Sequence, residues 1–194
     1  MHGADRLPLG RFKQTLPAKA LVSAMSLAGP AAGEAEGFER LCDFSQHLEG
    51  QEEEPLTTEQ ENVQLIKELF AAFARGDVQS ALALVAEDVD WQSPVTRTQS
   101  KEISWALPRH SREQVARFFQ ELAERVAPEP FEVSAVIAEG DRVVVEGHNR
   151  ARVRSTGRSY EHDWVMVFTV RDGKIVRHRH YYDSADVAAA FHKQ

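Results

Sequence analysis

Residues 159–183 read SYEHDWVMVFTVRDGKIVRHRHYYD. Two runs of alternating apolar and polar residues flank Arg171-Asp172-Gly173, so the stretch reads as a hairpin of Tyr160 to Val170 with Lys174 to Asp183. With Val170 opposite Lys174, the cross-strand partners are Phe168 with Val176, Met166 with His178, Trp164 with His180, and His162 with Tyr182. One face then gathers three histidines among Trp164, Met166, Phe168 and Tyr182. An imidazole buried in such company needs a hydrogen-bond partner or a chemical task, because desolvating a polar group is costly. The opposite face carries Glu161, Asp163, Val165, Val167 and Thr169 with Ile175, Arg177, Arg179, Tyr181 and Asp183, a composition that suits solvent or a partner surface. A one-residue slip in the turn would exchange the two faces.

Upstream of the hairpin the period is also two. Phe131 to Ala138 forms a strand, Glu139-Gly140-Asp141 a turn, and Arg142 to Arg154 a long strand ending at Ser155-Thr156-Gly157. Its inward face is Val143, Val145, Gly147, Asn149, Ala151 and Val153; the charged residues between them face water. Before residue 131 the period is helical. Thr58 and Glu61 form a capping-box pattern ahead of Val63, Ile66, Leu69, Phe70 and Phe73, and Gly76 stops that helix. Asp77 caps a shorter helix through Ala81, Leu82 and Val85, ending near Glu87-Asp88, and a short strand runs from Val89 to Ser93. Val95 to Pro108 has no period and is a loop, in which Trp105 is either a lid or an exposed aromatic. Ser111 caps a third helix bearing Val115, Phe118, Phe119, Leu122 and Val126, which Pro128 and Pro130 close. Asp183 caps a terminal helix, Ala185 to Phe191, and its place there favours a capping role over a catalytic one.

The chain has 194 residues, 42% hydrophobic and 27% charged, with one cysteine, Cys42. These values suit one globular domain and exclude a disulfide scaffold and a helical membrane bundle. The net charge of −7 is concentrated in residues 1–61, which hold 5 Lys+Arg against 11 Asp+Glu. The remainder is nearly neutral and has no basic stripe, so neither nucleic acid nor a membrane is an expected partner. Residues 1–57, with Glu52-Glu53-Glu54 before Pro55, read as a flexible acidic extension in which Phe38, Leu41 and Phe44 have the spacing of a short helix. Arg11, Lys13 and Lys19 ahead of Ala20 to Ala32 faintly resemble a secretory leader. Ser23, Ser26, Gly29 and Pro30 interrupt the apolar run, and a cytoplasmic location is the expectation.

The element order is carried by Leu69-Phe70-Ala71-Ala72-Phe73-Ala74-Arg75-Gly76-Asp77, Glu87-Asp88-Val89-Asp90-Trp91-Gln92-Ser93-Pro94 and Arg112-Glu113-Gln114-Val115. Thr156-Gly157-Arg158-Ser159-Tyr160, Asp172-Gly173-Lys174-Ile175-Val176-Arg177 and Tyr181-Tyr182-Asp183 continue it. Over about residues 60 to 192 this pattern resembles the SnoaL-like branch of the nuclear transport factor two superfamily. The resemblance implies an α+β cone over residues 58–194. A curved antiparallel sheet would wrap on three N-terminal helices, with a short C-terminal helix, an apolar pocket and a homodimer through the outer sheet face. Enzymes of that fold include ketosteroid isomerase, scytalone dehydratase, limonene epoxide hydrolase and polyketide cyclases.

Their catalytic groups are largely replaced. Ser93 stands where the ketosteroid isomerase pattern has its base, and Leu69 near its oxyanion tyrosine. Gly147, Asn149 and His180 stand where the limonene epoxide hydrolase pattern has its charged triad. The same alignment turns Asn149, His162, Trp164, His178 and Tyr182 inward.

His180 is therefore the expected acid or base, since an imidazole titrates near neutrality, with Tyr182 beside it as the second catalytic residue. Trp91, Ser93, Asn149, His162, Trp164, Met166 and His178 are the expected ligand contacts, with His178 mainly packing. His178-x-His180 with His162 would also suit a three-histidine metal facet, but no carboxylate shares that face, so neither metal nor other cofactor is expected. Asp163 is expected to pair with Arg177 or Arg179. The function so indicated is a small-molecule pocket protein acting on an apolar, oxygenated compound as an isomerase, dehydratase or cyclase. The alternative is a dimeric binding module without turnover.

Overall fold

A computed structural model describes residues 14–16, 56–98 and 100–192. Strands β1 (Gln14–Leu16), β2 (Val85–Gln92), β3 (Val126–Glu139), β4 (Arg142–Val153), β5 (Ser159–Arg171) and β6 (Lys174–Tyr182) form one sheet in the order β1-β3-β4-β5-β6-β2. Only β2 runs parallel to its neighbour, β6; the other pairs are antiparallel. Helices α1 (Thr58–Arg75), α2 (Val78–Ala83) and α3 (Arg112–Arg125) lie on the concave face, and α4 (Ser184–Ala190) follows the last strand. This is the α+β cone expected from the sequence. No helix among the described residues is long and apolar enough to cross a membrane.

The helix limits follow local chemistry. In α1 the capping box uses Thr57 and Gln60, one residue before the expected pair. The Gln60 amide donates to the Thr57 hydroxyl, and the Thr57 amide to the Gln60 side chain. Gly76 ends the helix at φ 69°, a conformation open to glycine at little cost. Asp77, Ser111 and Asp183 cap α2, α3 and α4 as expected. Ile66, Leu69 and Phe70 from α1 and Val115 and Phe118 from α3 are buried against Val143, Val145, Phe168 and Ile175 of the sheet.

Three strand limits differ from expectation. β2 begins at Val85, in what read as the end of a helix, because its backbone pairs with β6 at Val85↔Ile175 and again, past an irregular stretch, from Asp90↔Arg177 to Gln92↔Arg179. β3 begins at Val126 and runs through Pro128 and Pro130, with a register shift between Pro128 and Phe131 that accommodates residues lacking an N–H. Gln14–Leu16, inside the expected N-terminal extension, pair with Phe131, Glu132 and Val133 at the edge of β3. The rest of that extension up to residue 55, including the helix expected around Phe38, Leu41 and Phe44, lies outside the described residues.

The hairpin register also differs, in a way that preserves its faces. The turn is the two-residue Asp172-Gly173, both with positive φ (50° and 67°), so Arg171 rather than Val170 stands opposite Lys174. That single shift alone would turn His178 and His180 outward. A bulge follows: Val170 pairs with Ile175 and Thr169 with Arg177, leaving Val176 as the extra residue. The two shifts restore the parity. The pairs become Phe168 with His178, Met166 with His180 and Trp164 with Tyr182. Ile175, expected on the outer face, is instead fully buried beside Val170.

Candidate functional site

Between the concave sheet face and α1 and α3 lies a cavity of about 190 Å³. Its walls are mostly rings: Phe70 and Phe73 from α1, Phe118 and Phe119 from α3, Trp91 from β2, Phe131 from β3, and Tyr160, His162 and Phe168 from β5. Ser93, Asn149, Met166, His178, His180 and Tyr182 also line it, as does Trp105 from the loop before α3. Eight of the nine expected site residues therefore meet at one cavity. Trp164 stands behind it. Gly147 has no side chain, so the indole settles over that backbone, stacks on Phe131 at 4.7 Å between ring centres and meets His180 edge-on at 5.8 Å.

The polar groups cluster at β6 and the chain leaving β2. The Val95 amide donates to the His180 carbonyl at 2.9 Å, which keeps Ser93 against β6. Ser93 Oγ is 3.0 Å from His180 Nδ1. Trp105 Nε1 donates to Tyr182 Oη at 3.3 Å, and Trp105 is only 2% exposed, so the loop aromatic is a covering wall of the site rather than an exposed ring. Tyr160, His162 and Tyr182 form a nearly parallel stack, with neighbouring ring centres 5.4 and 5.0 Å apart. His178 stacks on Trp91 at 3.7 Å. His180 Nε2, His162 Nδ1, both ring nitrogens of His178 and the indole nitrogens of Trp91 and Trp164 have no hydrogen-bond partner among the described residues.

Burial governs the electrostatics. It pushes His180 down to about 3, with the neighbouring His162 adding to the effect. His178 lies well below the ordinary imidazole value, first from burial and then from His180 and Arg179. His162 is lowered by burial despite the opposing carboxylates of Asp186 and Asp183. Tyr182 is pushed up to about 12 by burial, against hydrogen bonding from Trp105 and Ser93. The expected titration of His180 near neutrality thus gives way to a ring that is neutral at pH 7. A neutral imidazole offers one N–H donor and one acceptor. The three-histidine facet does not form. Among the described residues no such group is placed to hold a metal, and Tyr182 rather than His180 stacks on His162.

The alternation of β5 already puts Tyr160 on the face of His162, so the sequence held that signal. Glu129, between Pro128 and Pro130, lines the rim and pairs with Arg150 at 2.8 Å and Arg152 at 3.6 Å. Sequence reasoning missed it, because the two prolines read as the end of a helix. On the outer face Asp163 pairs with His148 at 2.9 Å rather than with an arginine. Asp90 takes both Arg177 and Arg179, because parallel pairing brings β2 beside β6.

The sequence profile of the SnoaL-like domain matches residues 66–178. No curated protein matches. An NTF2-like protein from Burkholderia xenovorans LB400 is similar in structure, with a TM-score of 0.58 and 38% identity, over 70% of this chain and 98% of that one. An NTF2-like protein from Burkholderia thailandensis E264 has a TM-score of 0.60 and 26% identity, over 68% of this chain and 97% of that one. An LEH-like epoxide hydrolase from M. tuberculosis shares the fold at 18% identity and a TM-score of 0.52, over 68% of this chain and 89% of that one. With the profile spanning more than half of its residues and a 38% identical structure covered almost throughout, the chain belongs to the SnoaL-like family of the NTF2-like superfamily.

Proposed function

We propose that this protein binds a compact, largely apolar, oxygen-bearing molecule in the cone cavity and moves a proton on it without a cofactor, in an isomerisation, dehydration or aldol-type cyclisation. One observation carries the reading. His180 sits in a largely aromatic cavity with Nδ1 held by Ser93 and, among the described residues, no partner on Nε2. A fixed donor in a water-poor site stabilises charge that develops on a ligand oxygen. Tyr182 and Asn149 flank that oxygen, and Trp91, Met166, His162 and His178 contact the apolar body. The volume suits one or two fused rings, since a cavity of about 150 Å³ accepts benzene.

A binding module without turnover is favoured by a second observation: among the described residues the one carboxylate lining the cavity, Glu129, is already paired with two arginines. Native mass spectrometry followed by deuterium exchange at the α-carbon of a bound ketone separates the two. Exchange that His180→Gln abolishes while binding persists supports the enzyme. Binding without exchange supports the module, and no uptake of any ring compound defeats both.

Pairing of two copies through the outer sheet face belongs to the same proposal. Tyr181 is 46% exposed there, beside half-buried Val165 and Val167, with Glu161 and Asp163 towards one end and Arg177 and Arg179 towards the other. A two-fold pairing can set acid against base across that apolar strip.

A further inference from the structure

Strand register sorts the outer face of the sheet into rows. Ile137, Val144 and Val167 stand in one, and Ala135, Glu146, Val165 and Tyr181 in the next, so the exposed Ile137 and Tyr181 lie at opposite edges of a single apolar strip. Charge divides along the strands on either side of it. Towards one end stand Arg142, Arg177 and Arg179, the last two sharing the carboxylate of Asp90. Towards the other stand Glu132, His148 and Asp163 in one row and Arg150 and Glu161 in the row beyond.

His148 holds two of these carboxylates at once. Its Nδ1 is 2.9 Å from Asp163 and its Nε2 is 3.0 Å from Glu161. An ionised carboxylate only accepts, so both ring nitrogens must donate and the ring carries a positive charge. Glu132 on β3 and Glu146 and Arg150 on β4 are the other charged neighbours in the register, and Asp186 of α4 accepts from the Glu161 backbone amide rather than from the ring. Loss of one ring proton leaves a nitrogen that cannot donate. One carboxylate is then released, and the acidic end gains a negative charge. Asp163 is 93% exposed, so a released carboxylate is open to an incoming protein. Of the two arginines at the other end, Arg177 is the more open and the more loosely held, at 3.6 Å from Asp90.

We propose that His148 is a latch on a self-association surface: while charged it keeps Glu161 and Asp163 on their own chain, and when neutral it frees one of them for the partner's Arg177. The outer faces of two copies then pair more tightly in alkali than in acid, since a two-fold operator sets the acidic end of each against the basic end of the other. The inference rests on the pairing of outer faces proposed above and adds what controls it. The two carboxylates raise the His148 ring above the ordinary imidazole value, which places the change on the alkaline side of about 6.5.

Sedimentation velocity on the full chain at matched ionic strength tests it. Between about pH 5.5 and about pH 9 the wild-type dimer should tighten about fivefold, the combined effect of one screened unit charge at each of two latches. His148→Gln should be as tight as the alkaline wild type at both pH values, and His148→Arg as weak as the acid one at both. Roughly 1 M salt should erase the difference between the two variants. The ring lies on the surface, so circular dichroism should be unchanged in both. A wild-type dimer indifferent to pH, or a pH dependence that survives in both variants, overturns the latch and leaves the pairing standing. A chain that stays monomeric at both pH values defeats the pairing itself, and the latch with it.

Discussion

A Cβ placed on Gly147 would stand 2.1 Å from Cζ2 of Trp164 and 2.2 Å from the carbonyl oxygen of Glu132. The indole and the neighbouring strand occupy the space that any larger residue would need. Gly147→Ala should therefore lower stability by about 3 kcal/mol, the upper part of the range for overpacking. Thermal denaturation followed by tryptophan fluorescence measures it. Adding Trp164→Phe should recover only part of the loss, since the Glu132 oxygen is backbone.

Acid should destabilise the protein through its buried imidazoles. His162, His178 and His180 all have folded values below the ordinary one, so between that value and their own the unfolded chain binds more protons and stability falls with falling pH. For His180 the window runs from about 6.5 down to about 3, on the order of 5 kcal/mol at most. Urea titrations at successive pH values should show the decline, and His180→Gln should flatten it. His148, exposed and raised by Asp163 and Glu161, acts in the opposite sense and weakly.

His178 should tolerate an apolar replacement better than its burial suggests. It is 1% exposed, and neither ring nitrogen has a hydrogen-bond partner among the described residues. Removing an unsatisfied polar group while keeping volume is near neutral or stabilising. His178→Leu should change the midpoint of thermal unfolding by no more than a few degrees. A loss above about 2 kcal/mol would mean that the ring holds a partner worth more than its stacking on Trp91.

Light scattering on the full chain should report a dimer, and Val167→Glu, on the strip beside Tyr181, should convert it to a monomer with unchanged circular dichroism. A wild-type monomer at micromolar concentration would remove the outer face as an interface.

The sequence made the fold legible wherever hydrophobic period and capping chemistry agreed: α1 from Ile66, Leu69 and Phe70, α3 from Ser111 and Phe118, β4 from Val143 to Val153. It misled where tertiary pairing overrode local signals. Glu87 and Asp88 look like a helix end but lie in an irregular stretch of a strand that β6 holds on either side, at Val85 and Asp90, and Pro128 and Pro130 look like a stop but lie in an irregular strand. Ser93 and Trp105 are distant in sequence from His180 and Tyr182, and no local pattern announces that Oγ would meet Nδ1. The inward set of histidines was legible because it depends on parity alone. The true partners were not, because a turn and a bulge are separate events that a period cannot register.

That dependence on parity bears on how the chain tolerates length changes. Deleting Val176 would remove the bulge and leave the partners as they are, Thr169 with Arg177 and Phe168 with His178, so the inward histidines would keep their face. Deleting Arg179 has no bulge to absorb it and would present His180 and Tyr182 to solvent, with Tyr181 driven into an aromatic interior. In related chains, a one-residue gap beside Val176 should therefore leave the cavity intact, and one between His178 and Tyr182 would mark a protein that has given up the site.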